Sequence, residues 1–392
     1  MSTVDSQTFL LDHMTQRYSG SSWMGDMLAI QHHPLPDLIL PGSHDACAFH
    51  LHSTEVAPFA DAVTKTCLAQ RVCCCIVKNF ALAQTGNLFD QLTCGSRYLD
   101  IRVTLDEKKQ QLRTEHALYG LPLRDLLQQV ADFVRSQPTE IVILHLRHFS
   151  INQFYDMKEE HHAMILRLLQ ELFDPTCFVH TDELHVPFAE LIVKGRRVVV
   201  FYGSTHPYLV ANQFQWIHFE KNVLPNGVGW CRAQNTEHMV TKIAAFSKAH
   251  SHAATAAAAA AVESAAVDHP FFKVSPALTP DDQYVKTGVL NCIVCCLCRV
   301  LCAKSCKSPA GLKETSDVVG DVLLEEFPRL VREHYHLNIL DMDHVVRQEK
   351  RSQLVEKIVQ LNIQQCAHLE SCRGVAAARD TFGTKEVVVA VM

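Results

Sequence analysis

The segment 36–48 constrains the fold most strongly, with the sequence Pro-Asp-Leu-Ile-Leu-Pro-Gly-Ser-His-Asp-Ala-Cys-Ala. A short apolar run stopped by a Pro-Gly dipeptide predicts a buried strand that ends in a turn. His44 and Asp45 then stand just past the carboxyl end of this strand. Because α/β barrels carry their chemistry at the carboxyl ends of their strands, the segment favours an α/β barrel with these two residues in its site.

Polar residues recur in the same way further along the chain. Asp100 and Arg102 alternate in Ser-Arg-Tyr-Leu-Asp-Ile-Arg, and His116 follows Thr-Glu after a charged, turn-like stretch. Residues two apart on a strand share a face, so Asp100 and Arg102 are expected to point into the same barrel mouth. Two histidines, two aspartates and an arginine supply a base, an acid and a phosphate clamp, which is a reagent set for phosphodiester transfer.

Helix and strand patterns alternate through the middle of the chain. Apolar residues in 123–135 and 164–173 follow helical spacing, whereas 141–144 and 197–202 are short apolar runs. Alternation of this kind predicts a parallel sheet covered by helices. Asn338 to Met342, followed by a helical pattern, predicts the last strand and helix.

Length and composition set limits on the architecture. The chain has 392 residues, of which 48% are hydrophobic and 20% are charged, enough for one large α/β barrel or for two domains. No Gly/Ser/Pro-rich linker separates the motifs, which favours one domain. A net charge of −6 argues against a nucleic-acid partner, because a phosphate-tracking surface carries excess positive charge.

The sequence also bears on location. Charged residues interrupt the first twenty positions, so no secretory signal is expected. Arg299 and Lys304 break the most apolar stretch, which is therefore too short to span a membrane. We expect a cytoplasmic protein, peripherally associated with a membrane, whose sixteen cysteines are mostly free thiols.

These motifs resemble the X region of phosphatidylinositol-specific phospholipases C. The resemblance comprises Gly42 to Asp45, Arg97 to Arg102 and His116, and it extends to Thr139–Phe149, 230–236, 278–280 and Asn338–Asp343. It covers roughly Ser21 to Asn362.

The resemblance implies a fold and its boundaries. It implies a single distorted (β/α)8 TIM-type barrel over residues 21–362. This barrel is expected to carry an Ala-rich insertion around 244–267 and a Cys-rich segment at 292–306. An irregular tail is expected over 363–392.

The resemblance also implies roles for the site residues. His44 is the expected general base, oriented by Asp343, with Asp341 as the reserve. His116, supported by Asp45, is the expected general acid. Arg102 is expected to stabilise charge on the phosphate oxygens.

A metal site is not expected, and neither is a cofactor. The calcium-dependent members of the family place oxygen ligands at positions that correspond here to Asp45, Asp100, Arg102 and Arg147. Because two of these four are cations, a Ca²⁺ site is disfavoured. Asp100 and Arg147 are instead expected to contact substrate. Gln84 is a further expected contact, since its spacing to Asp100 is similar to that in the branch of the family that cleaves glycosylphosphatidylinositol.

The implied activity is cleavage of phosphatidylinositol or glycosylphosphatidylinositol lipids to diacylglycerol and a 1,2-cyclic inositol phosphate. The sequence leaves the choice between these head groups open. Two alternatives remain: an inositol-lipid-binding or scaffold protein on the same barrel, and a metal-dependent glycerophosphodiesterase. Joint presence of acid and base disfavours the first, and Arg102 disfavours the second.

The Cys-rich segment allows three interpretations. Spacings such as Cys292-x-x-Cys295 suit zinc, although no clearly matched second pair follows. Buried cysteines acting as small apolar side chains are the simplest alternative. Cysteines among apolar and basic residues also suit S-acylation at a membrane surface. The lipidation candidates are Cys292, Cys295, Cys296 and Cys298.

Overall fold

Among the residues described by the structure, a computed structural model, eleven strands form one curled sheet. The described residues are 18–52, 55–60, 65, 78, 81–152, 155–225, 228–230, 233, 235–260, 271–276, 312–333, 337–346 and 350–382. The strands are β1 (Leu40–Ser43), β2 (Tyr98–Asp106), β3 (Gln111–His116), β4 (Leu118–Pro122), β5 (Val142–Asn152), β6 (Tyr155–Asp156), β7 (Val198–Tyr202), β8 (Ile217–Phe219), β9 (Val228–Trp230), β10 (Lys273–Ser275) and β11 (Ile339–Met342).

Eight of these described strands are parallel to their neighbours, in the order β8-β7-β5-β2-β1-β11-β10-β9. This is the circular strand order of a (β/α)8 barrel, in which each strand pairs with those before and after it along the chain. Within the described residues β8 and β9 do not pair, so the barrel is open there. The predicted distorted barrel is confirmed.

Helices connect the strands. They are α1 (Trp23–Asp26), α2 (Leu88–Thr93), α3 (Leu123–Ser136), α4 (Glu159–Leu172), α5 (Phe188–Val193), α6 (Pro207–Asn212), α7 (Glu220–Val223), α8 (Thr236–Ala260), α9 (Leu312–Arg332) and α10 (Lys350–Phe382). Short 3-10 turns occupy Leu28–Ile30, Leu35–Asp37 and Pro175–Cys177. The predicted helices at 123–135 and 164–173 correspond to α3 and α4. α3 ends before Pro138, where the residue preceding a proline is biased away from helix.

The first strand differs from its prediction. The Pro-Gly dipeptide is part of β1 rather than a turn after it. Pro41 lacks an amide donor, and its carbonyl accepts a hydrogen bond from the Arg97 amide at 2.8 Å. A Cβ at Gly42 would lie 3.1 Å from the Tyr98 ring and 3.2 Å from the Leu340 carbonyl, so glycine allows close packing of β1 between its neighbours. His44 and Asp45 nevertheless follow the strand end, as predicted.

The barrel interior has an apolar lower layer and a polar upper layer. The apolar layer consists of inward-facing side chains near the amino ends of the strands, which share one cluster: Leu40, Tyr98, Ile143, Val199, Phe201, Phe271 and Ile339. Two residues further along several strands, the inward positions are polar. Every second side chain along a strand faces the barrel interior. The change from apolar to polar residues at these inward positions therefore places charged groups near the carboxyl ends of the strands.

The chain segment before β1 closes the amino end of the barrel. Trp23, Met24, Met27 and Ile30 are fully buried and join the cluster of the apolar layer. Val359 and Ile363 of α10 pack against the same cluster. The barrel is therefore sealed below, and its polar mouth opens at the other end.

Two expectations outside the core are corrected. Residues 363–382 continue the helix α10, so the tail predicted to be irregular is helical over that range. The Ala-rich segment begins on α8, whose Ile243 and Ser247 are buried, so 244–247 are part of a packed helix rather than an exposed insertion. α8 packs here because Met239 and Ile243 join the cluster formed with α9 and α10.

Several predictions lie outside the described residues. These are the remainder of the Ala-rich segment beyond Ala260 and the Cys-rich segment 292–306 with all four lipidation candidates. Among the cysteines with described side chains, Cys47, Cys94 and Cys177 are free thiols. No helix in the described part of the chain combines the length and apolarity needed to cross a bilayer. The domain boundaries 21–362 stay a prediction.

Candidate active site

His44 lies at the centre of the barrel mouth, directly after β1. Its backbone amide donates to the Met342 carbonyl at 2.9 Å, which holds it against the end of β11. Its Nδ1 donates to Asp343 Oδ1 at 2.8 Å, so Nε2 faces the mouth side occupied by Asp45, at 3.4 Å. The structure therefore brings together His44 and the carboxylate predicted to orient it.

Asp45 bridges the site. Its Oδ2 lies 3.4 Å from His44 Nε2 and 3.2 Å from His116 Nε2, and its Oδ1 is paired with Arg102 Nε. Asp45 has φ +42°, a left-handed conformation that aspartate adopts more readily than most residues. Strained backbone at such a position is typical of sites where geometry is over-determined. One buried carboxylate thus contacts both histidines and the guanidinium.

His116 reaches the mouth by a route that strand alternation along a barrel does not predict. It ends β3, an antiparallel strand that returns from the tip of the β2–β3 hairpin at Asp106 and Gln111 to the pair of Thr114 with Val103. Its Nδ1 donates to the Ala81 carbonyl at 2.6 Å, which fixes the ring. The next residue, Ala117, has φ +60°, a conformation that costs a non-glycine residue about 1–2 kcal/mol. Glycine would adopt this conformation without that cost.

The pKa values of the two histidines are shifted in opposite directions. Burial acts to lower the pKa of His44, but Asp45 and Asp343 outweigh it and raise that pKa to about 9. Burial likewise opposes ionisation of Asp45, yet Arg102 and the two histidines hold its pKa at about 2. Burial lowers the pKa of His116, and the attraction of Asp45 only partly offsets this. At neutral pH the resting pair therefore carries its proton on His44.

The floor of the mouth is a buried charge cluster. Lys273 Nζ lies 2.8 Å from Asp341 Oδ2 and 3.3 Å from Asp100 Oδ2, and all three side chains are fully buried. Arg147 Nη1 approaches Asp100 Oδ2 at 3.4 Å. Burial disfavours the charged carboxylate, but Arg147 and Lys273 hold the pKa of Asp100 well below its ordinary value. Asp100 thus supports the cations around it, and its contact with substrate stays a prediction.

Gln84 also has a different place from the one predicted. Its side chain is buried, and its Nε2 donates to the carbonyls of His44 and Met342 at 2.8 and 2.9 Å. Its Oε1 accepts from the Val345 amide at 3.0 Å. With both amide hydrogens used within the protein, Gln84 joins the ends of β1 and β11 and positions His44. The expected contact of Gln84 with substrate stays a prediction.

Sequence reasoning missed a chain of polar groups beside Arg147. Tyr98 Oη donates to His145 Nδ1 at 2.5 Å, and His145 Nε2 lies 3.2 Å from Glu220 Oε2. Glu220 opens α7, directly after β8, and the neighbouring His145 lowers its pKa. A Cβ at Gly203 would lie 2.8 Å from Glu220 Oε2, so glycine allows Glu220 to lie in the mouth. The partly exposed Glu220 offers a carboxylate acceptor there.

The described residues also line a cavity of about 510 Å³ elsewhere in the barrel. Pro36, Ile217, His218 and Phe271 are among its lining residues, which include none of the mouth histidines, aspartates or arginines. It lies along β8 at the open edge of the sheet, with Pro34 and Pro36 as well as Phe219 and Val223 in its lining. We therefore place the candidate active site at the mouth, where the histidines, aspartates and arginines lie, and not at this cavity.

The fold and the geometry define the class of protein. It is an open (β/α)8 barrel whose mouth holds two histidines and a guanidinium, each within contact distance of one bridging carboxylate. No protein-family model matches the chain.

Comparison with curated proteins confirms the resemblance to X-domain proteins. The chain is 28% identical over 204 residues to human PI-PLC X domain-containing protein 2, a match that covers 50% of this chain and 63% of that protein. It is 25% identical over 202 residues to human PI-PLC X domain-containing protein 3, covering 50% of this chain and 61% of that protein. The match thus spans about three-fifths of the length of these relatives.

Solved structures confirm the fold. The phosphatidylinositol-specific phospholipase C from Listeria monocytogenes superposes with a TM-score of 0.55 at 16% identity, covering 88% of this chain and 99% of that one. A pentafluoro-Phe-containing form of the enzyme from Staphylococcus aureus gives a TM-score of 0.51 at 13% identity, covering 86% and 97%. At these identities the likeness establishes a shared barrel architecture.

Proposed function

We propose that the protein is a lyase-type phospholipase C that acts on inositol phospholipids. The observation that carries this proposal is the bridging of His44, His116 and Arg102 by the single carboxylate of Asp45. A base, an acid and a phosphate-binding cation are thereby held around one point of the mouth. The names of the X-domain relatives and of the bacterial enzymes with the same fold support an inositol lipid as substrate.

The reaction proceeds by intramolecular attack. His44 removes the proton of the inositol 2-hydroxyl, whose oxygen attacks the neighbouring phosphorus. The bond from phosphorus to the diacylglycerol oxygen breaks, and His116 protonates that oxygen. The products are diacylglycerol and a 1,2-cyclic inositol phosphate. Because nucleophile and phosphorus belong to one molecule, the step avoids the entropy of bringing two reactants together.

Arg102 stabilises charge on the non-bridging phosphate oxygens. Only its Nε is paired with Asp45, and its Nη groups have no other partner among the described residues. A guanidinium presents parallel N–H groups that match two phosphate oxygens. Arg147 and Glu220 lie further round the mouth and suit the remaining hydroxyl groups of an inositol ring.

Independence of calcium is part of the proposal. Arg102 and Arg147 extend from β2 and β5 into the mouth, and Lys273 lies between the floor carboxylates Asp100 and Asp341. These cations already compensate the carboxylates that a hard divalent ion needs as oxygen ligands. Glycosylphosphatidylinositol cleavage, peripheral membrane association and acylation of Cys292, Cys295, Cys296 and Cys298 are finer proposals that the mouth geometry leaves open.

The activity is tested with purified full-length protein and a His44→Ala variant on phosphatidylinositol micelles in EDTA. Phosphorus NMR follows formation of the cyclic inositol phosphate. The wild type is expected to give cyclic product, and His44→Ala is expected to lose it, because the base is absent. Product that forms only after calcium is added would contradict the metal-independent scheme. A glycosylphosphatidylinositol-anchored protein as the second substrate tests the finer head-group proposal.

The ionisation of the histidine pair leads to a pH prediction. Turnover needs His44 neutral and His116 protonated, whereas the resting pair holds its proton on His44, whose pKa is about 9. The competent state is then a minor form of the singly protonated pair, and kcat/KM falls above about pH 9 as that proton is lost. Asp343→Asn removes a cause of the raised pKa, so the alkaline limb is expected to move to lower pH. Orientation of His44 is lost too, and kcat is expected to fall on the order of 10²-fold.

The measurement is the pH dependence of kcat/KM for the wild type and for Asp343→Asn. Asp132→Asn, an exposed position on α3, is the control, with an unchanged profile expected. An alkaline limb that stays in place in Asp343→Asn would show that His44 is not the titrating group.

The same ionisation favours a second candidate function. A resting site with a cationic His44 beside Arg102 and Arg147 suits capture of a phosphoinositide head group without turnover. Retention of phosphatidylinositol vesicles by the wild type, with no cyclic product from either lipid substrate, would establish this binding function instead.

A further inference from the structure

Lys273 is a buried cation that the proposed reaction does not use directly. It lies on β10, where Phe271, Lys273 and Ser275 face the barrel interior while Phe272 and Val274 join the outer cluster. Its Nζ lies 2.8 Å from Asp341 Oδ2, 3.3 Å from Asp100 Oδ2 and 5.1 Å from the centre of the Tyr98 ring. A fully buried lysine is rare unless it is paired.

The two carboxylates that contact this ammonium group belong to a set of potential metal ligands in the floor of the mouth. One ligand atom each from His44, Asp100 and Asp341 lies within 4.8 Å of the others, and all three residues are buried. In addition, Asp100 Oδ1 and Asp341 Oδ1 are buried and make no hydrogen bond with any described group. Two carboxylates and an imidazole converging on one point are a donor set suited to a divalent ion.

We propose that Lys273 is a built-in cation that fills a latent divalent-metal site in the floor of the barrel mouth. Its ammonium neutralises Asp100 and Asp341, and through Asp100 it positions Arg147, which shares the same carboxylate oxygen. Lys273 is thus a positioning residue, and the cation it supplies is covalently attached to the barrel wall. This inference concerns the occupancy of the floor and holds whether or not the mouth turns over lipid.

Charge balance explains why the lysine excludes a metal. Two buried carboxylates without a counter-cation are costly, since burial disfavours uncompensated charge. With Lys273 present, a divalent ion has to displace an ammonium group held at 2.8 Å. Without Lys273, the side-chain hydrogen bonds that the described residues leave to these carboxylates are those from the Ser275 hydroxyl to Asp341 at 3.0 Å and from Arg147 to Asp100 at 3.4 Å. The vacated space and the uncompensated charge then favour a divalent ion.

The test is Mn²⁺ binding to the full-length wild type, to Lys273→Ala and to the double variant Lys273→Ala/Asp341→Asn. Binding is measured by the loss of the free Mn²⁺ EPR signal, and thermal unfolding is followed in EDTA and in excess MnCl₂. Mn²⁺ suits carboxylate and imidazole ligands, whereas zinc would also be taken up by the sixteen cysteines.

Lys273→Ala is expected to bind a single Mn²⁺ on the order of 10²-fold more tightly than the wild type, since a competing buried cation is gone. Its unfolding temperature is expected to rise with Mn²⁺ and to return to its lower value in EDTA. The double variant lacks one ligand and is expected to show neither effect. This pattern supports a latent metal site whatever the outcome of the lipid assay.

Two results on a folded variant would overturn the proposal, and a third measurement decides if the variant does not fold. The first is a folded Lys273→Ala that takes up no Mn²⁺. The second is a wild type that binds as tightly as the variant, which would place the metal elsewhere. If Lys273→Ala is unfolded in EDTA, refolding in MnCl₂ is the deciding measurement: recovery supports the site, and failure in both conditions shows that the lysine is required for the fold itself.

Discussion

Arg102→Ala is expected to lower kcat/KM on phosphatidylinositol by about 10²–10³-fold, the range for removing a group that stabilises charge in the transition state. The loss is expected mainly in kcat, because the guanidinium meets more charge as the phosphorus becomes five-coordinate. Arg102 also compensates Asp45, so its removal leaves that buried carboxylate with the two histidines as its ion-pair partners among the described residues. Steady-state kinetics on micellar substrate give both parameters.

Two companion variants separate the two roles of Arg102. Arg102→Lys keeps the charge and loses the planar pair of donors, so an intermediate loss is expected. If Arg102 acted only by holding Asp45, Asp45→Asn would lose as much activity, and the double variant would lose no more than either single variant. Added guanidine that restores part of the activity of Arg102→Ala would show direct contact with phosphate.

Arg196→Ala is the matched control for these measurements. Arg196 is also largely buried and paired with a carboxylate, Glu183, but it precedes β7 and lies away from the mouth. Unchanged kcat/KM is expected for this variant. Full activity in Arg102→Ala would refute the proposed role of the guanidinium.

Much of the site could be predicted because it follows from two rules, the alternation of side chains along a strand and the common rim at which parallel strands end. Asp100 with Arg102, and Asp341 with Asp343, are pairs two residues apart, and strand alternation places each pair on one face. Parallel strands in a barrel end at the same rim, so polar residues that follow separate apolar runs converge there. His44, Asp45, Arg102 and Asp343 meet for this reason.

Other parts of the site depend on contacts that local patterns do not carry. His116 arrives on an antiparallel strand, and its distance to Asp45 is set by the hairpin register rather than by the barrel. Glutamine is usually found on the surface. The side-chain amide of Gln84, however, makes hydrogen bonds with three backbone groups at the ends of β1 and β11, which are far apart in sequence.

Lys273 and Glu220 illustrate the limit of short strands. Each belongs to or follows a strand of three residues, β10 and β8, which is too short for alternation to stand out. Phe-Phe-Lys-Val-Ser contains the needed signal, since Lys273 interrupts an apolar run at an inward position. That signal can be interpreted only once neighbouring strands show which face is inward.

Arg97 and Glu140 form a buried ion pair beneath the site, and its disruption is the largest stability effect expected. Arg97 Nε and Nη2 donate to Glu140 Oε2 at 2.8 and 2.5 Å, and both side chains are fully buried. Arg97 also donates to the Gly20 carbonyl, while Glu140 accepts from the Gly25 amide at 2.9 Å. The pair therefore ties β2 and β5 to the segment that seals the barrel.

Arg97→Met is expected to lower the free energy of unfolding by about 3–5 kcal/mol, because it leaves the Glu140 carboxylate buried without its cation. Burial already raises the pKa of Glu140 and lowers that of Arg97, so burial disfavours the charged form of each side chain. Urea unfolding followed by circular dichroism measures the change, with Arg124→Met in the exposed pair with Glu171 as the control, where little change is expected. The double variant Arg97→Met/Glu140→Leu removes both charges and is expected to regain part of the lost stability. A double variant no more stable than Arg97→Met would mean that the hydrogen bonds to the sealing segment, rather than the stranded carboxylate, account for the loss.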